Sequence, residues 1–240
     1  MNSKVIISGH SAGLGLALAA HYLHRGYMVL GLARRTVGGW PSEKLQQYPL
    51  DLSDSKALAD WLSDGLLKRF VQDAEEIVLI NNAGVVVPNA VAGAQDAAAI
   101  SRAVSLNVTA PLLLSNAAVA AKPDAAQLKI VHISSGAGRN AYPGWSVYGA
   151  TKAALDHHAL CMAAEAHQGV SIISVAPGVV DTGMQAEIRA ATEETFPLRQ
   201  RFVDLKQQGG LSVPADTAAR IAAMIADASF GETVVRDVRD

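Results

Sequence analysis

The sequence predicts an α/β fold in which a doubly wound parallel sheet carries helices on both faces. Three observations predict it. Short β-branched or apolar runs alternate along the whole chain with longer stretches of helical spacing. The strand-like runs are apolar throughout, as strands covered on both faces are. A glycine-rich turn follows the first strand and opens the first helix, the arrangement of a Rossmann-type sheet.

In chain order, a strand over residues 5–8 precedes the glycine turn and a helix over 14–24. A strand over 28–32 is followed by a helix over 56–71, and a strand over 77–81 by a helix over 101–121. A strand over 129–134 leads to a helix over 147–167, and a strand over 170–175 to a last helix over 215–228. A final strand over 233–236 closes the sheet. No repeat, low-complexity tract or Pro/Gly/Ser-rich linker divides the chain, so residues 1–240 read as one domain. One connection is long, residues 178–213. Long connections in compact domains tend to be functional, and this one is read as a substrate-binding insertion.

Composition sets limits on partners. Twenty Lys and Arg stand against 22 Asp and Glu, a formal net charge of −2, with no basic block. Nucleic acid and anionic membrane are therefore not expected partners. Half the residues are apolar and 18% are charged, enough to bury a core. No stretch approaches about 18 uninterrupted apolar residues. The N-terminus enters a strand almost at once, leaving no room for a signal peptide. The single cysteine, Cys161, has no partner for an internal disulfide and reads as a helix core residue. A cytoplasmic protein is expected.

The turn reads Ser8-Gly9-His10-Ser11-Ala12-Gly13-Leu14-Gly15. Glycines there let backbone approach a ligand, and the helix behind offers unpaired N–H groups and its positive dipole end to a pyrophosphate. Gly9, Ser11, Gly13, Leu14 and Gly15 are the expected phosphate-binding residues. His10 is read as structural. An acidic residue at the end of the second strand would bind a free ribose 2′-hydroxyl, whereas arginine accommodates a 2′-phosphate. Here Ala33 is followed by Arg34 and Arg35, which favours NADP(H) over NAD(H).

Tyr148 and Lys152 are four apart at the start of a predicted helix and so share one face. A cation there is expected to lower the phenol pKa from its reference near 10, fitting it to act as a general acid or base at a carbonyl or alcohol oxygen. Ser135 lies at the carboxyl end of a predicted strand, where doubly wound sheets bind ligands, and its hydroxyl can orient the same oxygen. Tyr142, Trp145 and Met184 are candidate substrate contacts, and Phe196 and Phe202 belong to the long insertion, read as a lid. No metal site is expected. His157 and His158 are adjacent and point about 100° apart on a helix, and the other histidines lack ligand spacing.

These motifs together resemble the short-chain dehydrogenase/reductase family over essentially the whole chain. The glycine turn matches the family's Thr-Gly-x-x-x-Gly-x-Gly with Ser8 in place of threonine. Asn81-Asn82-Ala83-Gly84 matches its Asn-Asn-Ala-Gly element, and Asp51 and Leu52 resemble the pair beside the adenine ring. Ser135, which precedes Tyr148 by thirteen residues, is preferred over Ser134 on the family's interval. Asn107, Ser135, Tyr148 and Lys152 match the four catalytic positions. Pro177, Gly178, Val180 and Thr182 resemble the element that holds the nicotinamide carboxamide. The resemblance implies hydride transfer between a nicotinamide and a carbonyl or alcohol carbon. Tyr148 would exchange the proton, Lys152 would bind the nicotinamide ribose, and Asn107 would hold a water in a relay to Lys152.

Two segments, residues 176–185 and 202–214, resemble the sepiapterin reductases and the related benzil reductases. They imply NADPH-dependent reduction of a small hydrophobic ketone or 1,2-diketone. Two departures stand out. Ala12 replaces a basic residue that many NADP-preferring members carry, which leaves the phosphate to Arg34 and Arg35. Whether Asp237 matches the aspartate that anchors a pterin stays open, so an aromatic or aliphatic diketone is an equal expectation. The alternatives are a 3-oxoacyl thioester reductase or alcohol dehydrogenase of the same family, and a non-catalytic dinucleotide sensor. A homodimer or homotetramer is expected, paired through the helices over 101–121 and 147–167.

Overall fold

The computed structural model describes residues 2–40 and 42–240. Seven parallel strands form one sheet: β1 (Ser3–Ser8), β2 (Met28–Ala33), β3 (Leu45–Pro49), β4 (Glu76–Asn81), β5 (Gln127–Ile133), β6 (Val170–Ala176) and β7 (Val235–Asp237). Their order is β3-β2-β1-β4-β5-β6-β7. The chain winds outward from β1 to β3, then crosses back to β4 and winds the other way. This reversal opens a crevice between the carboxyl ends of β1 and β4, where Ser8 pairs with Asn81.

Nine helices of the α type cover the sheet among the described residues. They are α1 (Gly13–His24), α2 (Ser55–Ser63), α3 (Leu66–Val71), α4 (Ala97–Val104), α5 (Ala110–Ala121), α6 (Ser146–Ala164), α7 (Gly183–Ala190), α8 (Arg199–Gln207) and α9 (Pro214–Ala226). Successive side chains of a strand point to opposite faces. Val5 and Ile7 of β1 therefore pack with Leu18 of α1 and Ile221 of α9, while Ile6 packs on the other side with Leu58 of α2 and Leu114 of α5. Every strand of the sheet's middle is buried on both faces, which is why those runs read as apolar throughout.

The structure departs from the sequence-based expectations in definite places. Strand β3 was not expected: Leu45-Gln46-Gln47-Tyr48-Pro49 has no apolar run, because an edge strand is only half covered. The helix expected over 56–71 is two helices, broken at Gly65, whose φ of +71° no helix interior adopts. The helix expected from 101 starts at Ala97, where the Asp96 carboxylate accepts from the Ala99 N–H at 2.7 Å. A π-type turn over Ser105–Thr109 joins it to α5. The combined run Ala97–Ala121 is, by length and composition, the one helical run among the described residues apolar enough to cross a membrane; here it packs on α6, α3 and the sheet. The last strand is displaced to Val235–Asp237. Cys161 is exposed on α6, a correction to its expected place in the core: the helix turns that face outward.

The 178–213 connection folds as α7 and α8 and returns beside its start through a Val180–Ser212 bridge. Its apolar side chains close a third cluster in which Phe196, Phe202 and Ile188 pack on Val86, Trp145 and Tyr148. Phe196 is fully buried and stacks on Trp145 with ring centroids 5.0 Å apart.

Candidate active site

The turn after β1 is held by reciprocal hydrogen bonds to the segment after β4. Ser8 Oγ accepts from the Asn82 and Ala83 N–H groups at 2.9 and 3.0 Å, and Asn82 Nδ2 donates to the Ser8 and Gly9 carbonyls. A Cβ on Gly15 would lie 2.1 Å from the Gly9 carbonyl oxygen, so this glycine permits close approach of α1 to the turn. Gly15 accordingly lies behind the cavity and not in its wall, unlike Gly9, Ser11, Gly13 and Leu14. His10 is buried in β2's shadow: its ring would overlap any Cβ on Gly31, and Nε2 pairs with Gln47 Oε1 at 2.8 Å.

A cavity of about 510 Å³ opens along this carboxyl edge. At one side of the strand reversal lie Arg34, Arg35, Asp51 and Leu52, from the ends of β2 and β3. At the other lie Ser135, Tyr148 and Lys152, with Pro177, Gly178, Val180 and Thr182 from the end of β6. Asn82, Ala83 and Gly84 line its middle. Tyr142, Trp145 and Met184, expected at the substrate, line the wall nearest Tyr148. Sequence reasoning did not place Arg102, Arg201, Gln185 or Arg239 here; they come from separate elements and carry no shared motif.

The cavity fits a dinucleotide. Helix α1 starts with no side-chain cap and no acidic residue in its first turn, so its N–H groups and dipole are left to an anion, and Ala12, Gly13 and Leu14 present them to the cavity. Asp51 is held below the usual carboxylate range, first by hydrogen bonds from Ser53 and also by the nearby Arg34 and Arg102 charges.

Tyr148 and Lys152 stand on the first two turns of α6, both buried. The Ser135 hydroxyl accepts from the Ala137 N–H at 3.1 Å and lies close enough to the Tyr148 phenol to favour its ionised form. Burial raises the phenol pKa above its ordinary value, with the Ser135 hydroxyl opposing. The direction is opposite to the expected depression, and its cause is desolvation of the phenol. Lys152 Nζ lies 5.7 Å from the Tyr148 ring centroid and donates to the Ile133 carbonyl at 2.7 Å. Burial lowers its pKa to about 8, opposed by the Asp156 carboxylate. Ser134, the adjacent serine, also borders the cavity, but its hydroxyl donates to the Lys152 carbonyl at 3.3 Å.

Asn107 stands beside Lys152: its Oδ1 and the Lys152 Nζ lie 3.2 and 3.6 Å from the point that a Cβ on Gly84 would occupy. Asn107 is fully buried in the π-type turn and absent from the cavity wall. Its Oδ1 accepts from the Val85 N–H at 2.9 Å, and its Nδ2 donates to the Val85 carbonyl and to Thr151 Oγ1. The side chain thus clamps the segment after β4 to α6.

Comparison with known proteins agrees with this fold. A profile described as short chain dehydrogenase matches residues 3–193. A benzil reductase ((S)-benzoin forming) of Bacillus cereus is 33% identical over 243 residues, covering 96% of this chain and 97% of that protein. A sepiapterin reductase of Meriones unguiculatus is 32% identical over 232 residues, covering 90% and 87%. A crystal structure of a short-chain dehydrogenase/reductase from Burkholderia vietnamiensis superposes with a TM-score of 0.73 at 39% identity, covering 100% of this chain and 98% of that one. The fold and the site define a nicotinamide-dinucleotide oxidoreductase. The chain belongs to the short-chain dehydrogenase/reductase family.

Proposed function

We propose that the protein is an NADPH-dependent carbonyl reductase for a small hydrophobic ketone or 1,2-diketone, with Tyr148 as the proton donor. The observation that carries this reading is the buried Tyr148 phenol, beside Ser135 and bordered by Trp145 in a cavity lined by a glycine cradle. Similarity to benzil and sepiapterin reductases supports the substrate class.

The nicotinamide, once bound, supplies the hydride; the chain supplies position, charge and the proton. Gly9, Ser11, Gly13 and Leu14 hold the pyrophosphate at the start of α1, with Asn82, Ala83 and Gly84 beside it. Arg34 and Arg35 pair with the 2′-phosphate, and Asp51 and Leu52 border the adenine. Pro177, Gly178, Val180 and Thr182 hold the carboxamide side. Lys152, charged near neutral pH, binds the ribose. Ser135 orients the substrate oxygen and Tyr148 protonates it as it gains charge. Tyr142, Trp145 and Met184 contact the substrate, and the aromatic cluster keeps water out. Asn107 holds the Val85 segment and α6 in register and stands beside Lys152, where it would hold a water in a relay to it.

The whole chain, 1–240, works as one dinucleotide-binding domain, with residues 178–213 as its substrate-binding segment. Exposed Val104 and Leu160, on α4 and α6, support pairing of two copies through these helices. The test is direct. Purified protein given benzil should consume NADPH, and do so faster than NADH. Failure to turn over benzil or any of a panel of diketones and aryl ketones, with NADPH bound, would overturn the reading.

A further inference from the structure

The hydrogen bonding of α6 continues past Lys152. Asp156 lies one helical turn after Lys152 and two after Tyr148, so all three share the helix face turned to the sheet. One Asp156 oxygen accepts from Ser174 Oγ of β6 at 2.6 Å, and the other from Arg139 Nε at 3.0 Å. Arg139 stands four residues after Ser135, at the end of the short 3-10 turn Gly136–Gly138. One buried carboxylate therefore joins the serine loop, the sheet and the helix that carries Tyr148.

A mechanical tie of this kind needs no charge. Burying a carboxylate costs stability unless another charge compensates, and the Arg139 guanidinium is only partly buried. The further compensation available is Lys152, a buried cation whose own hydrogen bond goes to a carbonyl. Other charged or titratable groups face this pair from the surrounding elements. Tyr148 on α6 is neutral, and His132 of β5 is held neutral by burial. Asp237 of β7 is engaged by Arg239 in three hydrogen bonds, one from its backbone N–H and two from its guanidinium.

We propose that Asp156 is a positioning residue that keeps Lys152 protonated through turnover, and that Arg139 tunes this effect by neutralising part of the Asp156 charge. The proposal rests on the carbonyl-reductase reading of the site. In line with it, Asp156 is the group that opposes burial in setting the Lys152 pKa. The two partners should act in opposite directions, which a tie without electrostatic function would not produce.

The test uses Asp156→Asn, Arg139→Gln and Ser174→Ala. In pH profiles of kcat/KM with NADPH and benzil, Asp156→Asn should move the alkaline limb toward acid by roughly one pH unit. Arg139→Gln should move it toward alkali, and Ser174→Ala, which removes a hydrogen bond but no charge, should leave it in place. A second readout needs no activity: with [13Cε]lysine labelling, and the Lys152 signal assigned by its loss in Lys152→Met, the Lys152 titration midpoint should shift in the same two directions. Midpoints unmoved in both charge variants, or moved the same way, would overturn the proposal. If Asp156→Asn does not fold, the alkaline shift in Arg139→Gln alone decides. Wild-type protein inactive on every carbonyl would sink the reductase reading, while the lysine titration would still judge this one.

Discussion

The Tyr148 phenol sits where spacing alone expected it, but its electrostatics run the other way. Burial raises the phenol pKa, and the Lys152 ammonium is turned to the Ile133 carbonyl. A phenol is already neutral near pH 7, so it carries the proton that carbonyl reduction needs, although a raised pKa by itself makes it a weaker acid. Replacing Tyr148 with Phe removes the proton and keeps the ring packing on Trp145. It should lower kcat by about 10²–10⁴-fold, the range for loss of a general acid, with NADPH binding by fluorescence little changed. At the other end of the cavity, Arg34→Ala should raise the KM for NADPH about tenfold to a hundredfold, as loss of a charge-assisted hydrogen bond does, and leave that for NADH nearly unchanged. Equal effects on both cofactors would count against a 2′-phosphate role.

At the level of elements, α6 and the α7–α8 segment decide what the cavity can hold. Helix α6 presents Tyr148 and Lys152; the segment brings Phe196 and Phe202 onto Trp145, the ring beside Tyr148. Phe196 is fully buried in that cluster, so Phe196→Ala should cost about 3–5 kcal/mol of stability in urea unfolding if the cavity does not collapse. Because the same ring backs Trp145, the variant should also raise the KM for benzil more than that for NADPH. Elements with strong local signals were legible: the glycine turn, the central strands and the start of α6. Strand β3 was not, because edge pairing to β2 and not its own pattern makes it a strand. The break at Gly65 was not read either, although a glycine in the left-handed region is itself a local helix-ending signal.

Across the molecule, the second face of the sheet carries a buried polar chain linking β4, β5, α5 and α6. Asn81 Nδ2 donates to Ser115 Oγ and to His132 Nδ1, and His132 Nε2 meets His158 Nδ1 at 3.0 Å. Burial lowers the His132 pKa to about 3, with the His158 and Lys152 charges adding to the effect. In the unfolded chain the group titrates near 6.5, so between about pH 6.5 and 3 unfolding takes up a proton. Stability contributed by neutral His132 is therefore present above pH 6.5 and lost on acidification. Its slope is about 1.4 kcal/mol per pH unit. Urea titrations between pH 4.5 and 6 should show that slope reduced by about this amount in His132→Gln; an unchanged slope would show that His132 is not the group responsible.

The motifs that bind and react are local, and the chain order alone places them: glycines after one strand, arginines after the next, serine after another, tyrosine and lysine on one helical turn. Backbone geometry over a few residues is enough to specify such features. The resemblance to short-chain dehydrogenases was legible for the same reason. What only the tertiary structure decided is how each group is solvated and what it touches. Asn107 is buried with hydrogen bonds to the Val85 segment and Thr151, Gly15 lets α1 approach the Gly9 carbonyl, Cys161 is exposed, and burial pushes the Tyr148 phenol pKa up. Those properties depend on atoms contributed by distant segments, whose desolvation and hydrogen bonds no local pattern encodes.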